Sequence, residues 1–305
     1  MMGRTKGFIT IATGAEEYYH LARNLLHSYR YFCNNPLPFT LLCDRDCKIN
    51  EEFDNVLFYR DGAACSYLDK LKLSEYLPYD ETIFIDADCL AYGDLNFLFD
   101  IFADADDMSC FGRVLPLQDK SGWFEYDNLG VLKSQVSYVV GLHGGIYYMR
   151  KGEVTSHVFQ VAQDFALDYS KFKFKGNFNT PGDEPLIALA MAVNNCHPIP
   201  FRLEAICCYW EYTDCMDIDI TEGRAEVRKE TTISTNLLHW GTRYTRGLVY
   251  KEQIDLLAIL ESADENCLRR ITDCKLHYGR LMAVERWKEF ANRLANKAKR
   301  MVGYR

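Results

Sequence analysis

The residues of this chain best suited by type and spacing to do chemistry are aspartates paired across one intervening residue. Such pairs occur at Asp44/Asp46, Asp86/Asp88, Asp104/Asp106 and Asp217/Asp219. With 24 aspartates in 305 residues, about two pairs are expected by chance, so spacing alone decides nothing. Context discriminates. Asp86 and Asp88 follow Thr82-Ile83-Phe84-Ile85, an apolar run suited to a buried parallel strand, and open α/β sheets bind ligands beyond the carboxyl ends of their strands. Two carboxylates held there repel each other unless a cation lies between them. Oxygen donors at that spacing suit Mn²⁺ or Mg²⁺, which take one or two carboxylates together with substrate phosphates. Asp104/Asp106 lies in the acidic turn Ala103-Asp104-Ala105-Asp106-Asp107 and reads as a solvated face.

The elements around this pair alternate. Phe8 to Ala12 reads as a strand, and 16–32 as a helix, because Leu21, Leu25, Leu26, Tyr29 and Phe32 share one face. Strands follow at 37–42 and 56–59, then a helix over 67–76, then the apolar run that ends in Asp86. Strands alternating with helices imply an α/β protein with a mostly parallel, doubly wound sheet flanked by helices. Beyond Asp88 the pattern gives a helix near 95–102 and a strand near 108–111. A long irregular excursion over 114–142, with Pro116, Gly122 and Gly130, comes next. Gly144 to Met149 is strand-like and 154–169 helical. A polar loop over 176–182 opens a helix at 184–193, and a strand at 236–240 precedes Gly241. Helices dominate the remainder.

Composition bounds the function. Forty-eight per cent hydrophobic and 26% charged is an ordinary globular balance, which excludes disorder, collagen and coiled coil. No run approaches the roughly 20 apolar residues of a membrane span. Met1 to Lys6 carries no signal-like apolar stretch, so a cytoplasmic location is expected, and the 12 cysteines then read as reduced thiols. Residues 268–305 carry 11 Lys/Arg and 3 Asp/Glu, whereas residues 1–267 carry 24 and 40. The body is acidic and the tail basic. An acidic body argues against nucleic acid as a partner, because neutralising phosphates needs a basic surface.

Five features in order along residues 8 to about 246 resemble glycosyltransferase family eight, which contains glycogenin and the bacterial lipopolysaccharide galactosyl- and glucosyltransferases. They are Phe8-Ile9-Thr10-Ile11-Ala12-Thr13; Lys70-Leu71 followed by Ile85-Asp86-Ala87-Asp88 and Leu95 to Asp100; Gly144-Gly145-Ile146-Tyr147-Tyr148; Gly182-Asp183-Glu184; and His239-Trp240-Gly241. The resemblance implies an A-type nucleotide-diphospho-sugar transferase fold over 1–265, with a basic helical region at 266–305. It implies Mn²⁺ held by Asp86, Asp88 and His239, a UDP-sugar donor, and a glycan or glycolipid acceptor.

The resemblance also assigns the donor site. Ile11, Ala12 and Thr13 match the segment that holds the nucleotide base, Lys70 the donor-site lysine, and Ala87 the residue within the acidic pair. Tyr18 either stacks on uracil or serves the helix core. Arg243 and Arg246 are both available for the diphosphate, since neither sits at the family's usual offset. His143, before Gly144 and Gly145, stands where relatives have Asn. Asp183-Glu184 stands where they have Asp-Gln, at the sugar's reactive face. Glu184 is therefore either a nucleophile at the anomeric carbon or an acid favoured by the helix dipole.

The function expected is retaining transfer of glucose or galactose from a UDP-sugar to a hydroxyl acceptor in surface polysaccharide or lipopolysaccharide synthesis. A haloacid-dehalogenase-like phosphatase also ends a strand in Asp-x-Asp, but on its first strand and with a later acidic motif that Gly182-Asp183 does not continue. A non-catalytic nucleotide-sugar-binding protein is the third reading. The cluster Cys196-His197, Cys207-Cys208 and Cys215 lacks the usual zinc spacing and reads as buried thiols. In the tail, Leu281, Val284, Trp287, Ala291, Leu294, Ala298 and Met301 recur at helical spacing among Lys and Arg. That basic amphipathic helix either docks on the acidic body or lies on an anionic membrane, which would make the protein peripheral on the inner face of the plasma membrane.

Overall fold

The computed structural model describes residues 4–119, 123–124, 126–172, 182–262 and 264–302, with side chains to residue 294. The chain begins with β1 (Lys6–Ala12), α1 (Glu16–Phe32), β2 (Phe39–Cys43) and β3 (Asn55–Phe58). Glu16 and Glu17 open α1, where the helix dipole favours acids, and Leu21, Ala22, Leu25, Leu26 and Tyr29 form its buried face. A 3₁₀ helix (Tyr67–Tyr76) follows, started by a capping box in which Ser66 and Asp69 satisfy each other's backbone N–H groups. It leads to β4 (Glu81–Ile85), β5 (Cys89–Ala91), the single-turn α2 (Leu98–Ile101) and β6 (Met108–Leu115).

The second half contains β7 (Val139–Arg150), α3 (Glu153–Leu167), α4 (Asp183–Val193), β8 (Ile199–Pro200), β9 (Cys207–Cys208) and α5 (Tyr209–Tyr212). Next come β10 (Met216–Asp219), β11 (Arg224–Arg228), β12 (Thr232–Ser234) and β13 (Leu237–His239), then α6 (Leu248–Glu261) and α7 (Cys267–Val302). The seven-stranded main sheet runs β3-β2-β1-β4-β7-β6-β8. Strands β3, β2, β1 and β4 are parallel, β7 is antiparallel to both neighbours, and β6 and β8 are parallel. The expected mostly parallel sheet flanked by helices is present. β2 and β4 are buried at every residue, as central strands covered on both faces must be.

Two differences from the sequence reading have local causes. The strand expected to begin at Gly144 begins at Val139, so the excursion ends sooner. Val139-Val140 is a strand run that Gly141 and Gly144-Gly145 interrupt in the pattern. The short strands β5 and β8 to β12 are not legible in the sequence, because elements of two to five residues carry too little alternation to read. Except for Gly182, the polar loop at 176–182 lies outside the described residues.

A three-stranded sheet, β5-β13-β9, sits beyond the carboxyl end of β4. In it His239 is paired with Cys89 on one side and Cys208 on the other. Helix α7 is fixed to the body through Tyr278, whose hydroxyl donates to Asp255 at 2.6 Å, and through Lys275, 2.6 Å from Asp219. Beyond that anchor Leu281, Val284, Trp287, Phe290 and Leu294 are exposed, Trp287 at 71%.

Candidate active site

The chain leaves β4 at Ile85 and turns, so that Asp86 and Asp88 face the space above the sheet. The Asp86 N–H donates to Gly145 O at 3.0 Å, and Trp240 N–H donates to Asp88 O at 3.0 Å. These bonds hold the acidic turn between β7 and β13. Strand β13 brings in His239, whose Nε2 lies 3.0 Å from Asp88 Oδ1 and 3.8 Å from Asp86 Oδ2. Sequence-distant residues 86, 88 and 239 therefore meet, as the resemblance implied.

Lys70 enters from the 3₁₀ helix. Its ammonium lies 2.8 Å from Asp86 Oδ1 and 3.2 Å from Asp183 Oδ2, and Tyr147 donates its hydroxyl to the same Asp183 oxygen at 2.9 Å. Burial alone would push the lysine's pKa down, but Asp183 and Asp86 hold it above its ordinary value. Burial pushes the Asp86 carboxyl up despite Lys70. At Asp88 burial acts in the same direction, but the neighbouring His239 outweighs it and keeps that acid below its usual range. His239 is correspondingly raised: burial lowers it, and Asp88 more than compensates.

Two glycines make the close approach possible. A Cβ at Gly144 would stand 2.5 Å from Glu184 Oε1, and one at Gly145 would stand 2.7 Å from His143 Cε1 and 2.8 Å from His239 Nδ1. Gly144 instead donates its N–H to Glu184 Oε1 at 2.7 Å. Asp183 and Glu184 open α4. Burial and the adjacent Asp183 push the Glu184 carboxyl up to about 7, against the pull of Lys70 and the Gly144 N–H. His143 accepts the Gly145 N–H at Nδ1 (3.1 Å) and contacts Cys208 Sγ through Nε2 at 2.9 Å. Burial, with His239 and Lys70 nearby, lowers His143 to about 3, so it is neutral.

A cleft of about 230 Å³ opens beside these groups, lined by Ile11, Thr13, Tyr18, Lys70 and the Asp86-Ala87-Asp88 turn. Ala12 is fully buried in the core below it. Thr13 donates its hydroxyl to Asp69 (3.0 Å), and Asp69 also accepts the Ala64 N–H at 2.6 Å, which ties the cleft's far wall to the end of β1. Arg243 and Arg246 are not among the lining residues. Arg246 is drawn to Glu17 at 2.8 Å and Arg243 lies over the Tyr244 ring.

The donor set fits a hard divalent cation: two carboxylates and an imidazole converge, and one acid is raised by burial, a strain that a cation relieves. Among the described residues, two groups place three possible ligand atoms within 4.8 Å of one another: Asp88/Cys89/His239 and His143/Cys208/His239. Asp86 belongs to neither, its carboxylate being drawn to Lys70. Cys89, Asp69 and Thr242 carry no signal in the sequence, and Cys208 reads there as a buried thiol. Only the register of β5, β13 and β9 brings the two thiols to His239, so no local spacing could announce them.

No family model matches the sequence, and no curated protein matches it. Solved structures do. The galactosyltransferase LgtC, in complex with donor and acceptor sugar analogues, superposes with TM-score 0.54 at 14% identity, covering 87% of this chain and 99% of LgtC. An active-site glutamine-to-glutamate mutant of LgtC gives TM-score 0.54 at 13% identity, covering 83% and 95%. Mouse xyloside xylosyltransferase 1, apo form, is similar at TM-score 0.48 and 12% identity over 79% of this chain and 99% of its own. Together with the sheet order and the helical C-terminus, the LgtC superpositions give the chain the A-type glycosyltransferase fold.

Proposed function

We propose that this protein is a metal-dependent retaining glycosyltransferase that moves glucose or galactose from a UDP-sugar to a hydroxyl of a glycan or glycolipid. The observation that carries this reading is the meeting of Asp86, Asp88, His239 and Lys70 at one end of a cleft lined by Ile11, Thr13 and Tyr18. The fold shared with LgtC, a galactosyltransferase described with donor and acceptor sugar analogues, supports it. The family resemblance of the sequence supports it as well.

Asp86, Asp88 and His239 would hold Mn²⁺ or Mg²⁺, which supplies Lewis-acid stabilisation of the departing diphosphate. Lys70 adds a second positive charge at that end of the cleft and holds Asp86 and Asp183 in place. Tyr18 and the end of β1 take the base. Glu184, held by the Gly144 N–H, would take the sugar side. As a carboxylate it displaces UDP from the anomeric carbon, forming a glycosyl ester, and the acceptor oxygen then displaces Glu184, losing its proton. Two displacements return the original configuration. The exposed apolar face of α7, flanked by Lys and Arg, suits peripheral attachment to an anionic membrane surface. The acceptor is then lipid-linked and the location the inner face of the plasma membrane.

The test is a screen of UDP-sugars for hydrolysis and for thermal stabilisation with Mn²⁺ against EDTA. UDP-glucose or UDP-galactose is expected to be hydrolysed only with the metal, with retained configuration in the transfer product. An inverted product, or equal stabilisation in EDTA, would overturn the reading.

A further inference from the structure

We propose that His143, Cys208 and His239 form a second metal site, selective for thiophilic divalent cations such as Zn²⁺, whose occupancy excludes a hard cation from the neighbouring carboxylates. The exclusion rests on the carboxylate cation site proposed above, whereas the thiophilic site and its spectroscopic test do not require that reaction.

Three observations carry it. The ligand atoms of the three side chains lie within 4.8 Å of one another. A tetrahedral Zn²⁺ with ordinary Zn–S and Zn–N bonds sets such atoms about 3.5 Å apart, so small side-chain shifts suffice. Second, His239 Nδ1 is buried and has no hydrogen-bond partner, whereas the ring's other nitrogen faces Asp88. An orphaned buried imidazole nitrogen is costly to leave unmet. Third, the backbone has left room for the two rings. They lie 5.3 Å apart at 79°, and a Cβ at Gly145 would stand within 2.8 Å of both.

The donor chemistry sets the selectivity. One thiolate and two imidazoles suit Zn²⁺, whereas Mn²⁺ and Mg²⁺ prefer the oxygens of Asp86 and Asp88. His239 belongs to both sets, and a neutral imidazole offers a lone pair on only one nitrogen at a time. When Nε2 serves the carboxylate side, Nδ1 carries the proton. When Nδ1 binds the thiophilic ion, the proton moves to Nε2 and is donated to Asp88. Cys208 loses its thiol proton to solvent as the metal–sulfur bond forms, and His143 gives up the Gly145 N–H as its own proton moves to Nδ1 and frees Nε2, which faces Cys208, for the ion. The register that pairs His239 with Cys208 makes this shared ligand a property of the small sheet.

Co²⁺ is the probe. Added stoichiometrically to the full-length protein, it is expected to give a thiolate-to-cobalt charge-transfer band in the near ultraviolet, which Zn²⁺ removes by displacement. Cys208→Ser should lose the band. His143→Asn should weaken Co²⁺ binding by about tenfold or more, and Asp86→Asn should leave it within about twofold of the native protein. A further arm measures Mn²⁺ binding by the loss of its free-ion EPR signal, which Zn²⁺ should weaken about tenfold in the native protein and leave unchanged in Cys208→Ser. Absence of the band, its survival in Cys208→Ser, or undiminished affinity in His143→Asn would overturn the site. His143→Asn decides the matter alone if the serine variant does not fold. Mn²⁺ binding indifferent to Zn²⁺ would overturn the exclusion, whereas failure of Mn²⁺ to bind at all would count against the carboxylate site instead.

Discussion

Gly144 hands its backbone N–H to Glu184 Oε1 at 2.7 Å, in space that a Cβ at position 144 would fill to within 2.5 Å of that same oxygen. The bond exists because residue 144 has no side chain. It restrains the one acid here that burial pushes up to about 7. Because the native pKa lies above the unfolded value near 4.5, the folded state holds this proton more tightly. That contribution to stability is complete below the unfolded pKa and is lost as pH rises through about 7. Activity that needs the carboxylate rises over the same interval. Glu184→Gln is expected to lower kcat by roughly 10²–10⁴ with donor KM little changed, and to erase both pH dependences. Normal turnover in the variant would leave Glu184 as a helix-start acid.

The acidic turn predicts a metal dependence visible without turnover. UDP with Mn²⁺, at about a hundred times its Kd, should add about 2.7 kcal/mol to stability in the native protein. EDTA should remove most of it, and Asp88→Ala should abolish the difference while unfolding at a similar temperature in the absence of ligand. Calorimetry measures both.

Gly145→Ala places a methyl group 2.7 and 2.8 Å from the His143 and His239 rings. Overpacking of this kind costs about 1–3 kcal/mol, read as a lower denaturant midpoint at unchanged slope. Because His239 is displaced, the variant should also lose Mn²⁺-dependent stabilisation by UDP. A midpoint equal to that of the native protein would mean the rings can yield.

Lys70→Met keeps the stem and removes the charge. Asp86 and Asp183 are then buried without their shared ammonium, and breaking a buried pair in this way costs about 3–5 kcal/mol. Chemical denaturation should show the loss near pH 7 and a smaller one at acid pH, where Asp86, raised by burial, protonates. A loss independent of pH would point to packing of the lysine stem.

Truncation after Tyr278 keeps the residue whose hydroxyl anchors α7 to Asp255 and removes the exposed stripe. Full-length protein should float with anionic vesicles at low salt. The truncated form should remain in solution with its UDP-sugar hydrolysis intact. If truncation unfolds the protein, the stripe belongs to the fold.

Much of this architecture was legible because its signals are local and repeated. Helix α1 is legible from its apolar face, and β4 from an apolar run into Asp86. The resemblance supplied His239, which no spacing rule could connect to Asp88. What escaped was built by pairing. Cys208 was taken as a buried thiol, and buried it is, but its sulfur also stands 2.9 Å from His143. Arg243 and Arg246 both stay open in the sequence for the diphosphate; Arg246 pairs with Glu17, 229 residues away, and a bidentate pair of that kind has no local signature.

The pairing of β13 between β5 and β9 unites residues 89, 208 and 239, and it has a consequence in time. The contact between residues 89 and 239 closes a long loop and is entropically expensive to make early. The half-built protein therefore has no complete cation-binding centre for most of its refolding. An ion that binds only the finished centre cannot hasten its assembly and must act by retarding its loss. Mn²⁺ should lengthen the unfolding half-life and leave the refolding rate almost untouched, so its protection is kinetic armour acquired after the last strand has zipped into place.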